Sequence, residues 1–254
     1  MTHLTIITGA SRGLGAGIAH LLCSDSTSRM AHVLGISRKA SSDLAQHAHQ
    51  QGAQLEQWTM DLADAAPVAE RLAQWLGAQT PGKVASVTLI NNACLIPPMV
   101  PLSQANAGDT VQALRVGLEA PMLLTAAFLQ ATRAWVLPRR VLNISSGLGR
   151  RAMASSSAYC AIKAGMDHFT RCVALDEALQ TNGAKVCSLA PGVIDTDMQL
   201  QLRQSDPTRF PDVAMFQGWH SQSQLTSPLD AARKVLNFLA QPDFGHDPIG
   251  DVRE

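Results

Sequence analysis

Residues 3–15 read His-Leu-Thr-Ile-Ile-Thr-Gly-Ala-Ser-Arg-Gly-Leu-Gly, an apolar, β-branched run that ends in a glycine-rich turn. The run predicts a buried strand, and the amphipathic pattern after the turn predicts a helix. The first glycine allows a sharp turn out of the strand, and the next two allow close approach to a pyrophosphate and close packing of helix on strand. A glycine-rich turn without a ligand is the alternative. We expect a dinucleotide site contacted by Gly9, Ser11, Arg12, Gly13, Leu14 and Gly15.

Beyond this turn, short apolar runs alternate with longer amphipathic ones. The predicted strands are residues 3–8, 31–37, 54–60, 84–91, 140–145, 185–189 and 248–252. The predicted helices run from the turn to about residue 24 and over residues 43–51, 67–78, 108–134, 157–179 and 228–240. Near-continuous apolar strands joined by helices are typical of a parallel sheet covered on both faces. The sequence therefore predicts one α/β domain over residues 1–254, a Rossmann-like, doubly wound parallel sheet of about seven strands, with ligands at the carboxyl ends of the strands.

Residues 193–226 interrupt this alternation. They are rich in Gln, Ser, Asp and Met and lie between the sixth strand and the last helix. Connections of this length without regular structure are usually functional lids or disordered segments. Because this one leaves from the carboxyl end of a strand, we expect a substrate-covering lid, with an ordinary surface insertion as the alternative.

The composition argues against several kinds of partner and site. Twenty basic residues balance twenty acidic ones, so there is no electrostatic footprint for nucleic acid or an anionic membrane. The sequence shows neither a signal-peptide pattern nor an apolar run long enough to span a bilayer. Five scattered cysteines without a C-x-x-C pair indicate reduced thiols rather than a disulfide framework or a zinc site. We therefore expect a soluble cytoplasmic protein with no metal site.

The end of the second strand distinguishes the two dinucleotides. An NAD site places Asp or Glu there for the ribose 2′-hydroxyl, whereas this strand ends Ile-Ser-Arg-Lys over residues 36–39. Arg38 can pair with a 2′-phosphate, Ser37 can donate a hydrogen bond to it, and Arg12 reaches over from the glycine turn. The sequence thus favours NADP(H). The alternative is that Arg38 and Lys39 are a solvated strand end.

Two further strand ends carry residues suited to a nucleotide crevice. Asp61 and Leu62 follow the third strand and are placed to contact an adenine, although Asp61 is as well suited to cap the next helix. Asn92 and Ala93 follow the fourth strand and are small or polar enough to line the crevice.

The chemistry is predicted on the second long helix. Tyr159, the single tyrosine of the chain, and Lys163 are four residues apart and share a helical face. A nearby ammonium favours the phenolate; lowering a phenol pKa by ~3 units takes about 4 kcal/mol of differential interaction. Ser146, at the end of the fifth strand, is placed to donate a hydrogen bond to a carbonyl oxygen, although a serine in a strand-to-loop turn is the alternative. These three residues form the predicted catalytic set.

Five features occur in the order and spacing of one known family. They are TGASRGLG (8–15), NNA (91–93), Ser146, YCAIK (159–163) and PGVIDT (191–196). Over essentially its whole length the chain resembles the short-chain dehydrogenase/reductase family. PGVIDTDMQ, the Gln- and Arg-rich lid and the closing GDVRE (250–254) look like its sepiapterin reductase and benzil reductase branch.

The resemblance implies specific roles. Tyr159 would donate the proton and, with Ser146, contact the substrate carbonyl, while Lys163 would hold the nicotinamide ribose and lower the pKa of the tyrosine. Asp251 falls near an acidic substrate contact of sepiapterin reductases. Further implied cofactor contacts are Tyr159, Lys163, Pro191, Gly192, Val193 and Thr196.

The chain departs from the family pattern at two positions. Cys94 stands where the family usually has glycine after Asn-Asn-Ala, and Gly117 stands where it usually has an asparagine that holds a proton-relaying water. We expect a slower proton relay rather than inactivity. Unchanged turnover across pH in Gly117→Asn would count against this expectation.

The residues and the resemblance together predict an NADPH-dependent carbonyl reductase acting on a small ketone, diketone or pteridine side-chain carbonyl. One alternative is a 3-oxoacyl-thioester reductase, whose acidic carrier would need more lid cations than Arg203 and Arg209. Another is a non-catalytic dinucleotide-sensing protein on the same fold, which Cys94 and Gly117 favour weakly. The predicted helices 108–134 and 157–179 are apolar enough to pair across a two-fold axis. A homodimer is therefore expected, with a tetramer left open.

Overall fold

The structure, a computed structural model, describes residues 1–24 and 30–253. Seven strands form one parallel sheet in the order β3-β2-β1-β4-β5-β6-β7. The strands are β1 (Thr2–Thr8), β2 (Ala31–Ser37), β3 (Gln54–Thr59), β4 (Val84–Asn91), β5 (Arg139–Ile144), β6 (Lys185–Ala190) and β7 (Ile249–Asp251). Each lies within one residue of its predicted bounds, which confirms the fold class. Chain order reverses between β1 and β4, and in such sheets ligands bind beyond the carboxyl ends at this point.

Helices cover both faces of the sheet. They are α1 (Gly13–Leu22), α2 (Ser42–Gln51), α3 (Ala65–Gly77), α4 (Ala107–Leu114), α5 (Ala120–Thr132), α6 (Ser157–Ala178), α7 (Asp197–Arg203), α8 (Val213–Ser221) and α9 (Pro228–Ala240). Buried side chains of α3, α5 and α6 form one core with the sheet, and those of α1, α2 and α9 form the other. Short three-residue helical turns stand at Pro81–Lys83, Leu102–Gln104 and Gly147–Gly149.

Two of these helices pack so closely that a glycine is needed between them. Gly17 lies on α1, and a Cβ built there would stand 2.7 Å from the carbonyl oxygen of Pro228, the first residue of α9. Any side chain at this position would push α9 away. The helix that follows the glycine turn is therefore braced by the last helix of the chain.

The helix predicted over residues 108–134 is not uniform. Between α4 and α5, residues Arg115–Glu119 form a π-helical turn that contains Gly117. Such turns are most often found at functional sites.

Residues 193–226 are not the irregular loop that their composition predicts. They contain α7 and α8, and an isolated bridge joins Ile194 to Thr226. Phe210, which is fully buried, anchors the connection between the two helices, and Ser155 Oγ donates a 2.6 Å hydrogen bond to the carbonyl of Arg209. The sequence pattern did not indicate these two helices, which pack in one buried cluster with residues of other segments, and the covering of a substrate stays a prediction.

Over the described ranges, none of the helices is long and apolar enough to cross a membrane. The predicted family ending GDVRE is described up to Arg253, and Glu254 lies outside the described residues.

Candidate active site

A cleft of about 1030 Å³ opens at the carboxyl edge of the sheet. It runs from the glycine turn, past the ends of β2, β3, β4 and β5, to the segment that carries α7 and α8. Of the predicted site residues, Gly15 and Asp251 are outside its lining. Those that line it are Gly9, Ser11, Arg12, Gly13, Leu14, Ser37, Arg38, Asp61, Leu62, Asn92, Ala93, Ser146, Tyr159, Lys163, Pro191, Gly192, Val193 and Thr196.

The glycine turn presents bare backbone to the cleft. Gly9 and Gly13 adopt φ angles of +70° and +56°, which side-chain-bearing residues rarely take. The Gly9 amide donates a 2.8 Å hydrogen bond to the carbonyl of Ile36, which ties the turn to β2. Gly15 lies behind the turn, where a Cβ would overlap the Gly9 carbonyl and stand 2.5 Å from the Asn92 amide nitrogen. Gly15 is thus needed for close packing, and its contact with a dinucleotide stays a prediction.

The ends of β1 and β4 are locked together. Thr8 Oγ1 accepts hydrogen bonds from the backbone amides of Asn92 and Ala93, at 2.9 and 3.0 Å. The Asn92 side chain donates to the Thr8 carbonyl at 2.9 Å. These contacts hold open the crevice where chain order reverses, so Asn92 and Ala93 form its floor.

Cationic side chains gather where β2 ends. Ser37, Arg38 and Lys39 line this part of the cleft. Arg12 also lines it, but its guanidinium pairs with Asp197 at 2.7 Å, and both side chains are largely exposed. Asp197 begins α7, so this ion pair joins the glycine turn to the lid, a contact that nothing in the sequence indicates.

The side chain of Asp61 forms a hydrogen bond within the turn that follows β3. Its carboxylate accepts a 2.9 Å hydrogen bond from the amide of Ala63, and the residue before α3 is Asp64, whose side chain makes no capping hydrogen bond. Both Asp61 and Leu62 line the cleft beside the end of β3. The adenine contact stays a prediction.

Tyr159, Lys163 and Ser146 meet in the middle of the cleft. The first two lie one turn apart on α6, and the Lys163 ammonium is 5.7 Å from the centre of the Tyr159 ring. That ammonium donates a 2.8 Å hydrogen bond to the carbonyl of Ile144, at the end of β5. Ser146 follows the same strand, and its side chain lies beside the Tyr159 hydroxyl. The sheet edge and the helix therefore place all three polar groups at one point.

Burial controls the protonation of this pair. It raises the pKa of Tyr159, and the lowering by the Lys163 ammonium and the Ser146 hydrogen bond does not offset it, so the pKa is raised overall. Burial pulls the pKa of Lys163 down, but Cys94, Tyr159 and Asp167 outweigh it, and that pKa is also raised. Lys163 acts on the tyrosine in the predicted direction, but the protein alone leaves Tyr159 protonated.

The serine before Ser146 has a different role. Ser145 is buried, and its hydroxyl donates a 2.5 Å hydrogen bond to Asp167 on α6. Ser188 of β6 donates to the same carboxylate oxygen at 2.7 Å, and Arg150 Nε lies 3.3 Å from the other oxygen. Asp167 therefore ties the ends of β5 and β6 to the catalytic helix.

Apolar side chains line the part of the cleft beneath the lid. Phe216 and Trp219 of α8 stack edge to face with ring centres 5.1 Å apart. The other apolar residues here are Leu95, Ile96, Leu148, Met198 and Leu202. Apart from Leu95, these side chains pack in the same buried cluster as Tyr159. Sequence periodicity does not reveal it because its members come from separate segments.

Asp251 is engaged within the protein. Its carboxylate accepts hydrogen bonds from Arg253 at 2.8 and 2.5 Å and lies 3.9 Å from Arg150. The Arg253 side chain holds the pKa of Asp251 below its usual range. Arg253 rather than Asp251 lines the cleft. The predicted substrate contact by this carboxylate is therefore not supported by its position.

The cleft fits a nicotinamide dinucleotide. Its glycine turn exposes backbone at the start of a helix, where phosphates bind, and a Cβ at Gly13 would stand 3.4 Å from the Thr196 side chain. The cleft then continues without interruption to Tyr159 and Lys163. Throughout the described ranges, no group of three or more metal-ligating side chains is found.

The comparisons agree with this geometry. The profile of the short chain dehydrogenase family matches residues 3–207. The chain therefore belongs to the short-chain dehydrogenase/reductase family and is an oxidoreductase.

Its relatives include reductases of carbonyl compounds. The benzil reductase ((S)-benzoin forming) of Bacillus cereus is 35% identical over 247 residues, covering 97% of this chain and 96% of that protein. The sepiapterin reductase of Xenopus tropicalis is 28% identical, covering 93% and 90%. A crystal structure of a metagenomic short-chain oxidoreductase in complex with NADP is 25% identical, with a TM-score of 0.72, and covers 98% and 94%. The chain is thus similar to carbonyl reductases of the benzil reductase and sepiapterin reductase kind.

Proposed function

We propose that this protein is an NADPH-dependent reductase of aryl ketones and diketones that works through Ser146, Tyr159 and Lys163. The observation that carries the proposal is the meeting of these three groups in a cleft that is continuous with the glycine turn. Bound NADPH would supply the hydride to the carbonyl carbon.

The side chains of the site carry out the proton chemistry. Tyr159, kept protonated by burial, donates its proton to the carbonyl oxygen as charge develops there. Ser146 donates a second hydrogen bond to that oxygen and polarises it. The Lys163 ammonium stabilises the phenolate that is left, because it is held by Ile144 on the same side of α6. In the reverse oxidation the same groups would take up the proton.

NADP(H) is favoured over NAD(H) by the charge at the end of β2. Arg38 and Lys39 line the cleft there, next to Ser37, and that strand end carries no acidic side chain. A guanidinium pairs strongly with a phosphate, whereas it offers little to an unmodified ribose hydroxyl. The relative solved in complex with NADP is in line with this choice.

The apolar region under the lid indicates the substrate class. Phe216, Trp219 and Met198 offer flat and flexible apolar surface to an aromatic ring next to the reacting carbonyl. A pteridine would bring several polar ring atoms into this region, and Asp251, which would recognise them, is bound to Arg253. We therefore place aryl ketones and diketones before pteridines.

The two alternative functions, a 3-oxoacyl-thioester reductase and a non-catalytic dinucleotide-sensing protein, have less support. Both lid arginines are engaged, Arg203 with Asp195 at 3.3 Å and Arg209 with Gln104 at 2.9 Å, which leaves little to attract an acidic acyl carrier. The complete arrangement of Ser146, Tyr159 and Lys163 argues against a protein that only senses the dinucleotide.

We further infer a cytoplasmic homodimer. The described cysteines are all free, as is usual for proteins of reducing compartments. Leu175 on α6, Leu179 directly after it and Met122 on α5 are exposed, and these two helices are the ones predicted to pair across a two-fold axis.

The test is to incubate the protein with NADPH and each of a panel of carbonyl compounds. The rate of reduction is measured from the loss of NADPH absorbance. We expect benzil to be reduced faster than sepiapterin or an acetoacetyl thioester. Tyr159→Phe should lose turnover about a hundredfold or more while NADPH still binds. Full activity of this variant would overturn the proposed mechanism, and a preference for the thioester would overturn the substrate class.

A further inference from the structure

A cationic side chain from the end of the chain reaches the cleft and takes no part in the proton transfer. Arg253 lines the cleft, and its side chain is 62% exposed. Its Nη2 atom stands 3.9 Å from the position that a Cβ on Gly147 would occupy. Gly147 directly follows Ser146, and the Cα atoms of consecutive residues are about 3.8 Å apart. The guanidinium therefore lies beside the neighbour of the serine that would polarise the substrate carbonyl.

The Arg253 guanidinium is held in one orientation. Its Nε and Nη2 atoms donate hydrogen bonds of 2.8 and 2.5 Å to the two carboxylate oxygens of Asp251, and the backbone amide of Arg253 donates to the same carboxylate at 3.0 Å. The side-chain contacts use two of the five N–H donors of a guanidinium. Because the protein already fixes this long side chain, a ligand that contacts it does not have to order it.

Asp251 is in turn anchored to the catalytic helix. It is only 7% exposed, and Arg150 lies 3.9 Å from it and 3.3 Å from Asp167 of α6. Arg150 also donates a 2.8 Å hydrogen bond to the carbonyl of Gly250. Opposite charges thus alternate from α6 to the cleft, with two carboxylates and two guanidiniums in the row. The row fixes the position of Arg253 relative to the catalytic helix.

We propose that Arg253 is a substrate-binding residue that recognises a second keto oxygen, on the carbon next to the reacting carbonyl. Tyr159 and Ser146 take the first oxygen, and the guanidinium beside Gly147 takes the second. Two oxygens on neighbouring carbons need donors that are close together, as these are. The inference narrows the substrate class to 1,2-diketones, and it rests on the reductase function proposed above because it concerns the substrate of that reaction.

The charge around Arg253 favours a neutral acceptor over an anion. Its positive charge is balanced by Asp251 at 2.5 Å, so an incoming carboxylate would also meet a carboxylate. A keto oxygen needs only a hydrogen-bond donor, and a bond from a charged donor contributes more than one between neutral groups. Such a bond also draws electron density from the adjacent carbonyl carbon, which favours hydride addition there.

The proposal is tested by comparing benzil with deoxybenzoin, the monoketone in which a methylene group replaces one carbonyl. For each compound, kcat/KM is measured with NADPH in the wild type and in Arg253→Ala. We expect the variant to lose about tenfold or more on benzil and less than about threefold on deoxybenzoin, because only benzil loses a charge-assisted hydrogen bond. The intrinsic difference in reactivity between the compounds cancels, since it is the same for both proteins. Equal losses on the two compounds would overturn the proposal.

Two further variants separate recognition from packing. Arg253→Lys keeps the charge without the planar fork, so it should recover part of the loss on benzil and still lose more on benzil than on deoxybenzoin. This variant decides the question if urea unfolding shows that Arg253→Ala does not fold. Arg233→Ala removes a guanidinium that pairs with Asp230 on the surface of α9 and should leave both substrates unchanged.

Benzoylformate tests the other acceptor that a guanidinium could bind. It carries a carboxylate on the carbon next to its ketone, where benzil carries the second keto group. We expect the wild type to have a lower kcat/KM for benzoylformate than for benzil. A preference for benzoylformate that is lost in Arg253→Ala would overturn the assignment of a keto oxygen.

The two proposals fail in different ways. If the wild-type protein reduces neither benzil nor deoxybenzoin, the proposed function is overturned, and the role of Arg253 with it. If the wild type reduces both compounds and the Arg253 variants lose the same factor on each, only the role of Arg253 is overturned.

Discussion

The hydroxyl of Ser145 donates a 2.5 Å hydrogen bond to Asp167, a carboxylate one helical turn beyond Lys163. Through this contact the strand that ends in Ser146 is held to the helix that carries Tyr159. The two halves of the catalytic site are therefore joined by a buried polar contact between Ser145, which lines the cleft, and Asp167.

Asp167→Ala should destabilise the protein by about 3 kcal/mol, because two serine hydroxyls and Arg150 lose their acceptor. Asp167→Asn, which keeps the size of the side chain, should cost less. Asp176→Ala removes an exposed carboxylate from the same helix and should leave stability nearly unchanged. Urea unfolding of the three variants measures this, and equal losses for Asp167→Ala and Asp176→Ala would contradict it.

Arg38→Ala should weaken NADPH binding about tenfold or more and leave NADH binding nearly unchanged, because a charge-assisted pair with the 2′-phosphate is lost. Titration of the protein with each dinucleotide measures both affinities. Arg233→Ala, which removes the same charge from the surface of α9, is the control. An equal loss of affinity for NADPH and NADH would show that Arg38 does not bind the 2′-phosphate.

Stability should fall as the pH rises above 9. Burial raises the pKa of the Cys23 thiol to about 11 and that of the Cys187 thiol to about 12, from 9.0. Between pH 9 and 11 the unfolded chain therefore binds fewer protons than the folded one, and the free energy of unfolding decreases with pH.

Each buried thiol contributes a slope of at most about 1.4 kcal/mol per pH unit. Between pH 9 and 11, the free energy of unfolding of Cys23→Ala should decrease less steeply with pH than that of the wild type. Cys172→Ser, at an exposed thiol, should keep the wild-type slope. Unfolding in urea under reducing conditions at several pH values measures the slopes. A Cys23→Ala slope equal to that of the wild type would refute the assignment.

Gly15→Ala should destabilise the protein by about 2 kcal/mol and reduce dinucleotide binding, because the new methyl group meets the Gly9 carbonyl and Asn92. Gly218→Ala on α8 has open space around it and should stabilise the protein by about 0.5–1 kcal/mol. Thermal unfolding and an NADPH titration of both variants provide the measurement. A neutral Gly15→Ala would mean that α1 can move away from the turn.

The sheet and the cleft lining could be predicted because both depend on local signals. Runs such as Leu4–Ile7, which are mostly apolar, predict buried strands. In a parallel sheet, the polar or glycine residues that directly follow such strands must all lie at the same edge. The i, i+4 spacing of Tyr159 and Lys163 likewise needs only the helical period. The positions of these residues follow from the local sequence alone, so predicting them requires no knowledge of distant residues.

The features that escaped prediction depend on contacts distant in sequence. The helices of the lid are short, and they are ordered by packing against Ile96 and Tyr159 from other segments in one buried cluster. The pairing of Arg12 with Asp197 joins residues far apart in sequence, as does the packing of Cys94 on Gly117. The pKa of Tyr159 is raised because burial outweighs the lowering by the Lys163 ammonium. The spacing of the two residues in the sequence predicts the charge effect but not the burial.

The contact of Gly17 with Pro228 has a consequence for how the molecule is made. The glycine turn and α1 are synthesised before α9. Until α9 follows, the face of α1 that carries Gly17 lacks one of its packing partners, although the first strands can already associate. A nascent chain should therefore complete its dinucleotide site only after α9 has been made.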